Sequence, residues 1–235
     1  LRFLAMKTGA PPSLSPFQWR ISRLWRLLLL VPLVACNDPP APTINLYRAI
    51  HTGDLDQIKR HLYWGTDINQ PGADGNYPVH VAAERGHVVV VEELLRHGAS
   101  PEAINGAGRT PLQLALLAGK TEVARLLVNQ GAAADPQSLL ALLVTAGVTD
   151  RDALAFVVAR GADVNAADAA GDRPLHRAVI QGQLLLVKRL IALGAEVNLT
   201  NAQGLTPLAL AQAGGQRDIA ALLAGFGASP TSPRP

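Results

Sequence analysis

Residues 109–132 read RTPLQLALLAGKTEVARLLVNQGA, and this stretch decides how the rest of the sequence is interpreted. It holds two apolar segments with helical spacing, a proline near the start of the first and a glycine after each. Similar stretches are YPVHVAAERGHVVVVEELLRHGAS (77–100), RPLHRAVIQGQLLLVKRLIALGAEVN (173–198) and LTPLALAQAGG (205–215). The chain is therefore self-similar, and each unit is predicted to be a pair of short helices.

The second unit shows why the residues favour this structure. Pro78 at the first helical turn loses no needed N–H and presets φ, so it starts a short helix. The small Ala82 and Ala83 allow close helix packing, and Gly86 ends that helix where a left-handed backbone is needed. A second helix is predicted over 88–97, with Val91, Leu94 and Leu95 at helical spacing for burial. Gly98 ends this helix.

The spacing of glycine and proline gives the repeat length. Pro78 and Pro111 are 33 residues apart, as are Pro174 and Pro207. Six glycine pairs mark six units: Gly53/Gly65, Gly86/Gly98, Gly119/Gly131, Gly147/Gly161, Gly182/Gly194 and Gly215/Gly227. The separation is 12 residues in every pair except Gly147/Gly161. A fixed period of 33 predicts a solenoid, in which each unit buries its apolar face against its neighbours.

These units resemble the ankyrin repeat, and together they cover residues 44–228. The resemblance implies an all-α solenoid of stacked helix-turn-helix units joined by hairpin-like loops. The turns of these loops are expected at Gly75, Gly108, Gly171 and Gly204. It also implies a protein-binding function, although the fold does not identify the ligand.

The fourth unit departs from the pattern. Only eight residues separate Gly131 from Leu139, the expected start of the next helix, where the other units use 13. Gly147 and Gly161 are 14 residues apart instead of 12. We therefore expect this unit to lack a full hairpin and the initiating proline, with Asp135 or Ser138 capping its first helix. The missing hairpin should leave a notch bordered by Leu117 and Leu142.

Composition and charge favour stacked helices and argue against nucleic acid as a ligand. The chain is 49% hydrophobic but only 4% aromatic, so its core must be aliphatic. Five of the 21 basic residues precede residue 36, namely Arg2, Lys7, Arg20, Arg23 and Arg26. The remainder of the sequence has 16 basic and 18 acidic residues. The array itself therefore lacks the basic patch expected of a nucleic-acid binder.

Residues 20–36, RISRLWRLLLLVPLVAC, have the order of a secretory signal: three arginines, the apolar run 27–35 and the only cysteine. Nine apolar residues are too few to span a bilayer, which needs about 20. The last four residues, 33–36, resemble the bacterial lipobox, which implies that Cys36 is lipidated and the chain cut before it. Met6 is an alternative start to Leu1, and either start keeps this signal.

These features predict the domain organisation and location. We expect residues 1–35 to be a removed signal peptide, 36–43 a lipidated N-terminus with a proline-rich linker, 44–228 the array and 229–235 a disordered tail. The protein would be lipid-anchored in the envelope of a Gram-negative bacterium, facing the periplasm. Asn37 favours the outer membrane, and Asp38 leaves the inner membrane open.

No motif indicates catalysis, a cofactor or a metal. Gly119-Lys120-Thr121 resembles the end of a phosphate-binding loop, but Leu114 replaces the required glycine. Gly106-Ala107-Gly108 lacks the third glycine of a dinucleotide fingerprint, and no G-x-S-x-G is present. The histidines lack metal-ligand spacing, and structural roles are expected for His80, His87 and His176. We expect a non-enzymatic protein without cofactor or metal.

The ankyrin resemblance assigns partner binding to the hairpin tips and the inner face of the first helices. The implied residues are Asp74, Asn76, Glu84, Arg85, Arg109, Leu117, Asp172, Arg177, Ile180, Gln181 and Leu205. The leading hypothesis is a monomeric adaptor or scaffold for an envelope or periplasmic protein. The alternative is a periplasmic inhibitor or immunity protein that blocks a toxin or hydrolase.

Overall fold

The computed structural model describes residues 38–230, so the predicted signal segment and Cys36 lie outside the described residues. Within this range, residues 40–230 belong to one compact unit. This part of the chain contains helices and no strand. The helices are α1 (Leu46–Thr52), α2 (Leu55–Tyr63), α3 (Pro78–Arg85), α4 (Val88–Arg96), α5 (Pro111–Leu117), α6 (Thr121–Asn129), α7 (Pro136–Thr145), α8 (Arg151–Ala159), α9 (Pro174–Ile180), α10 (Leu184–Ala192), α11 (Pro207–Ala213) and α12 (Arg217–Gly225).

The helices form six antiparallel pairs, in which the odd-numbered inner helix precedes the even-numbered outer helix. The predicted boundary residues have the expected roles: Pro78 is at the start of α3, and Gly86 ends it with φ = 80°. In the third unit, Thr110 and Gln113 form a capping box at the start of α5. The all-α repeat architecture predicted from the proline and glycine spacing is confirmed.

One apolar core runs through the six pairs. Ala82 and Ala83 are fully buried, which permits the close contact between α3 and the inner helices on either side. Every unit adds large aliphatic side chains, such as Ile50, Leu94 and Leu140, with no exposed surface. Truncating one of these to alanine should cost about 2–5 kcal/mol. Because the packing is between neighbours, stability is shared along the array.

Four extended loops, which we call fingers, connect successive units. They are the first finger (67–77), the second (100–110), the third (163–173) and the fourth (196–206). The second finger stacks on the first, with Asn105 Nδ2 donating to Asn76 Oδ1 at 2.6 Å. The fourth stacks on the third in the same way, since Asn201 Nδ2 donates to Asp172 Oδ1 at 3.0 Å. The fingers therefore form two separate pairs.

One side chain holds each of the last three fingers in shape. Asn105 Oδ1 accepts hydrogen bonds from two backbone N–H groups of its own turn, and Asn201 Oδ1 does the same. Asp168 has this role in the third finger, where its Oδ1 accepts from the amides of Ala170 and Asp172. The side chains of Asn105 and Asn201 are buried by the preceding finger, whereas Asp168 is exposed.

Histidines tie two inner helices to the finger of the next unit. His80 Nε2 lies 2.9 Å from the carbonyl oxygen of Arg109, and His176 Nε2 lies 3.0 Å from that of Leu205. Both imidazoles are fully buried. The structural role expected for these two residues is confirmed.

The fourth unit differs from the prediction at its start. Its inner helix α7 begins at Pro136, one turn before Leu139, so the prediction that this unit lacks an initiating proline is wrong. The prediction of Asp135 as the cap is confirmed, because its carboxylate accepts from the amide of Ser138 at 2.8 Å. Only six residues connect α6 to α7, where each finger connection has 14, so the missing finger is also confirmed.

The additional turn of α7 takes over one task of the missing finger. In the last three fingers, a side chain near the start binds a backbone amide of the next unit: Glu102 binds Ala133, Asn165 binds Glu196 and Asn198 binds Ser229. Gln137 does this in the fourth unit, because its side chain accepts from the Asp163 amide and donates to the Asp163 carbonyl. The array thus stays continuous. Ser229 is the residue at which the disordered tail was expected to begin, and its amide is held by the Asn198 side chain at 2.7 Å.

The buried histidines predict a pH dependence of stability. Burial lowers the pKa of His80 and His176 below the usual 6.5, and their carbonyl hydrogen bonds only partly oppose this. The unfolded chain therefore binds protons more readily, so this stability is complete above about pH 6.5 and is lost as the pH falls below it. We expect the melting temperature, measured by circular dichroism, to fall between pH 7.5 and pH 5.5.

The control for this prediction is the double variant His80→Gln/His176→Gln, since glutamine can donate a hydrogen bond but does not titrate. Its melting temperature should be lower at pH 7.5 but should change less with pH. A pH dependence equally steep in both proteins would contradict the assignment to these histidines.

The third finger provides a second prediction about stability. Asp168→Ala removes the acceptor of two backbone hydrogen bonds and should lower the free energy of unfolding by about 1–2 kcal/mol. Asp168→Asn keeps the acceptor oxygen for the turn but loses the exposed ion pair with Arg177, which is worth at most about 1 kcal/mol, so it should cost less than Asp168→Ala. Urea denaturation of both variants tests this, and equal losses would show that the turn does not depend on this oxygen.

Candidate protein-binding surface

A pocket of about 460 Å³ lies where the missing finger would be. One wall is the exposed side of α7, and the other is the third finger together with the start of α9. The lining residues are Gln137, Ser138, Ala141, Val144, Thr145, Ala166, Ala167, Asp168, Asp172, Pro174 and Arg177. The notch expected from the irregular spacing is present, but Leu117 and Leu142 do not line it. The pocket lies between the fourth and fifth units, and not between the third and fourth.

The pocket is lined by both apolar and charged side chains. Arg177 donates from Nε and Nη2 to Asp168 Oδ2, at 2.9 and 2.7 Å. Its Nε is also 3.6 Å from Asp172 Oδ2. The hydrogen bond with Asp168 raises the pKa of the Arg177 guanidinium further above its usual value. Two carboxylates thus face one guanidinium, and the pocket has an excess of negative charge.

A residue of α7 makes room for the pocket. Counted back from the glycine that follows each inner helix, Ala141 is equivalent to His80 and His176. Those histidines are buried and bind the carbonyl of the next finger, whereas Ala141 is exposed. The equivalent carbonyl here is that of Asp172, which accepts only the Asp168 amide of its own turn. The Asp172 carbonyl thus has no side-chain donor, whereas the carbonyls of Arg109 and Leu205 each have an imidazole and that of Asn76 has the Tyr47 hydroxyl.

The predicted binding residues on the fingers are partly used within the array. Asn76 and Asp172 each accept a hydrogen bond from the following finger, so their side chains hold the finger pairs together. Asp74 is exposed and binds the Asn76 amide. Arg109 is half-buried. Leu205, 41% exposed, remains an accessible aliphatic side chain on the fourth finger.

Four other predicted residues lie exposed at the ends of inner helices. Ile180 at the end of α9 is 52% exposed, and Glu84 has the equivalent position in α3. Arg85 and Gln181 follow them in sequence and are also exposed. These residues present a mixed apolar and charged surface of the kind found in protein interfaces.

Leu117 shares the position of Glu84 and Ile180 but not their exposure. Its side chain is half-buried and packs against the core, so the expectation that it borders the notch is wrong. The physical reason is the short α6–α7 connection: the shortened unit closes beside α5, and the opening lies on the far side of α7. Leu117 is therefore a core-edge residue.

Residues central to the pocket are not among those predicted from the sequence: Gln137, Ser138, Ala141 and Asp168. The sequence does contain one signal, since alanine stands at residue 141 where two other units have histidine. That signal requires counting from the glycine after the helix, because Pro136 is displaced by one turn.

Membrane-spanning and metal-binding features are both absent from residues 38–230. No helix in this range has the length and apolar character needed to cross a membrane. The same range contains no group of three or more histidine, cysteine, aspartate or glutamate side chains placed to hold a metal ion.

Comparison with known proteins places this geometry among interaction modules. The chain is 26% identical to the human ASB11 ankyrin repeat domain, with a TM-score of 0.62 over 79% of this chain and 85% of that one. It is 25% identical to a chain of the complex between a Bdellovibrio bacteriovorus predatory endopeptidase and an immunity protein, with a TM-score of 0.60 over 77% of this chain and 96% of that one.

Sequence relatives share only part of their length with this chain. It is 31% identical to the human ARF GTPase-activating protein GIT2 over 111 residues, which are 45% of this chain and 15% of that protein. The chain spans less than a quarter of the length of the curated relatives it matches. A sequence-family model described as ankyrin repeats, three copies, matches residues 46–138 and again residues 141–233. These matches cover most of the sequence, and the chain belongs to the ankyrin-repeat family.

Proposed function

We propose that this chain is a membrane-tethered periplasmic protein that binds an envelope protein through its ankyrin array, as an adaptor or scaffold. The observation that carries the proposal is the inner surface, where exposed aliphatic and charged side chains adjoin an open pocket. A surface of this mixed character, extending over several units, is typical of protein interfaces. The array also carries no excess of positive charge that would favour nucleic acid.

Tethering rests on the sequence of residues 20–36. The arginines, the short apolar run and the terminal Cys36 together support export and lipidation. A multiply acylated N-terminus would remain stably in a membrane, since each buried methylene contributes about 0.8 kcal/mol. The proline-rich segment 37–42 would then separate the lipid from the first helix pair.

An inhibitor or immunity protein is the second candidate function. It is favoured by the likeness to a chain of the complex of a predatory endopeptidase with an immunity protein. A surface with an open pocket between two stacked finger pairs could receive a projecting loop of an enzyme. The two candidates differ in what happens to the partner, because an inhibitor lowers its activity and an adaptor does not.

Lipidation is tested with Cys36→Ser. The wild-type chain should incorporate a fatty-acid analogue supplied to the bacteria, and the variant should not, because the sequence contains no other thiol. Immunoblotting should show equal amounts of both chains, with the variant uncleaved or released from the membrane fraction. Equal labelling of the two proteins would exclude the lipoprotein assignment.

Binding is tested by capturing partners from envelope extracts with two matched variants. Ile180→Glu places a charge on the inner surface, at a position where the second unit already has Glu84. Val89→Glu makes the same change on outer helix α4, where the equivalent residue of the third unit is Glu122. Both side chains are more than half exposed, so both variants should fold.

We expect Ile180→Glu to reduce capture at least tenfold, because a charge must be desolvated in the interface, and Val89→Glu to leave it unchanged. The activity of the captured protein, measured with and without the array, then separates adaptor from inhibitor. Equal capture by both variants, with circular dichroism confirming their helicity, would contradict binding through the inner surface.

A further inference from the structure

We infer that the pocket between α7 and the third finger is the docking site for a partner loop that inserts a basic side chain. This inference rests on the proposed protein-binding function and specifies the site and the chemistry of its ligand. The occupant would take the space of the missing finger and the position of the missing imidazole. Geometry, hydrogen bonding and charge each support it.

The geometry comes from a comparison between units of the same chain. Where a preceding finger is present, Asn105 and Asn201 are 8% and 9% exposed. Asp168 has the same role in its turn but is exposed, because the fourth unit has no finger to cover it. One face of the third finger is therefore uncovered, and the open volume beside it is about 460 Å³, enough for several side chains of an inserted loop.

Hydrogen bonding indicates that the occupant is a donor. In the second and fifth units, an imidazole nitrogen lies within 3.0 Å of the finger carbonyl. In the fourth unit the residue is Ala141, and the Asp172 carbonyl accepts one hydrogen bond, from the Asp168 amide. Ala141 and Asp172 both line the pocket, so the position that the imidazole takes in the other two units is open to it. A partner N–H group placed there would restore the bond that the other units make internally. An unpaired acceptor would lose solvation when a partner covers it, which penalises occupants without a donor.

Charge indicates that this donor is cationic. Asp168 and Asp172 outnumber Arg177 on the lining, and Asp135 adds a third carboxylate at the start of α7, next to the lining residues Gln137 and Ser138. Other basic groups do not compensate, because Arg173 of the third finger is turned away to the carbonyls of Asn165 and Thr200. A lysine or arginine of the partner would therefore meet both an acceptor carbonyl and an excess of carboxylates.

The apolar part of the lining suits the rest of such a side chain. Ala166, Ala167, Pro174 and Val144 contribute small or rigid apolar side chains to the two walls. Lysine and arginine have aliphatic stems that pack on apolar surface while the charged end reaches polar groups. The pocket therefore matches a long basic side chain along its whole length.

The test uses the full chain in living cells and a photo-crosslinking residue in the pocket, Thr145→benzoylphenylalanine, since Thr145 is exposed on the rim. The same residue at Glu122, which is exposed on outer helix α6, is the control for the opposite face. Mass spectrometry of the crosslinked product should identify a partner loop that contains a lysine or arginine. Crosslinking from Glu122 should be weak.

A second substitution, Ala141→His, is then combined with the crosslinker. It copies the histidine of the second and fifth units, so it should fill the pocket, bind the Asp172 carbonyl and leave the melting temperature equal or higher. Crosslinking from Thr145 should fall at least tenfold. If Ala141→His instead unfolds the chain, Asp168→Asn serves in its place, because it keeps the acceptor of the turn and removes one charge. It should reduce crosslinking about fivefold, as expected for one charge pair, whereas Asp163→Asn at the start of the same finger should not.

The outcomes separate this inference from the proposed function. Crosslinking to a partner from other inner-surface positions, with none from Thr145, would overturn the docking site and leave protein binding intact. Crosslinking from Thr145 that is undiminished in folded Ala141→His, or that maps to a partner segment without a basic residue, would also overturn it. No crosslinked partner from any inner-surface position would contradict the proposed function itself.

Discussion

Each helix pair of this chain can bury its apolar residues only against the pairs beside it, and this constraint determines the rest of the structure. Small residues such as Ala82 and Ala83 allow inner helices to approach closely, and large aliphatic residues such as Leu94 and Leu190 complete each interface. The fingers follow the same rule. Asn105 and Asn201 are buried because a finger of the preceding unit covers them, whereas Asp168 has no such finger and is exposed. Wherever a neighbour is missing, surface that is normally covered becomes accessible.

The fourth unit is the place where this rule is broken within the array. Its connection is too short for a finger, and an additional turn of α7 replaces one of the finger's contacts through Gln137. That turn preserves the core but does not cover the third finger. Stability and binding are therefore separated: the helices remain continuous, while the uncovered finger and the Asp172 carbonyl form a pocket with a defined chemical preference.

Most of the fold follows from the sequence because proline and glycine act locally. Pro78 and Gly86 occupy the helix ends predicted for them, since their backbone preferences hold in any context. The fourth unit is harder to predict, because counting back from Gly147 gives Leu139 as the helix start, whereas Pro136 and the Asp135 cap add a full turn. The exposure of Leu117 and the position of the pocket depend on how that turn packs, which a one-dimensional pattern does not contain. Asp168 escapes prediction for a similar reason, since its exposure results from the absence of a segment elsewhere in the chain.

A protein partner that binds in the gap left by the missing finger is the central claim. A crystal structure of the array in complex with its captured partner is the most direct measurement. We expect a partner loop between α7 and the third finger, with a lysine or arginine nitrogen within about 3.2 Å of the Asp172 carbonyl oxygen. A complex in which this pocket contains only solvent, or in which the partner contacts the outer helices alone, would contradict the claim.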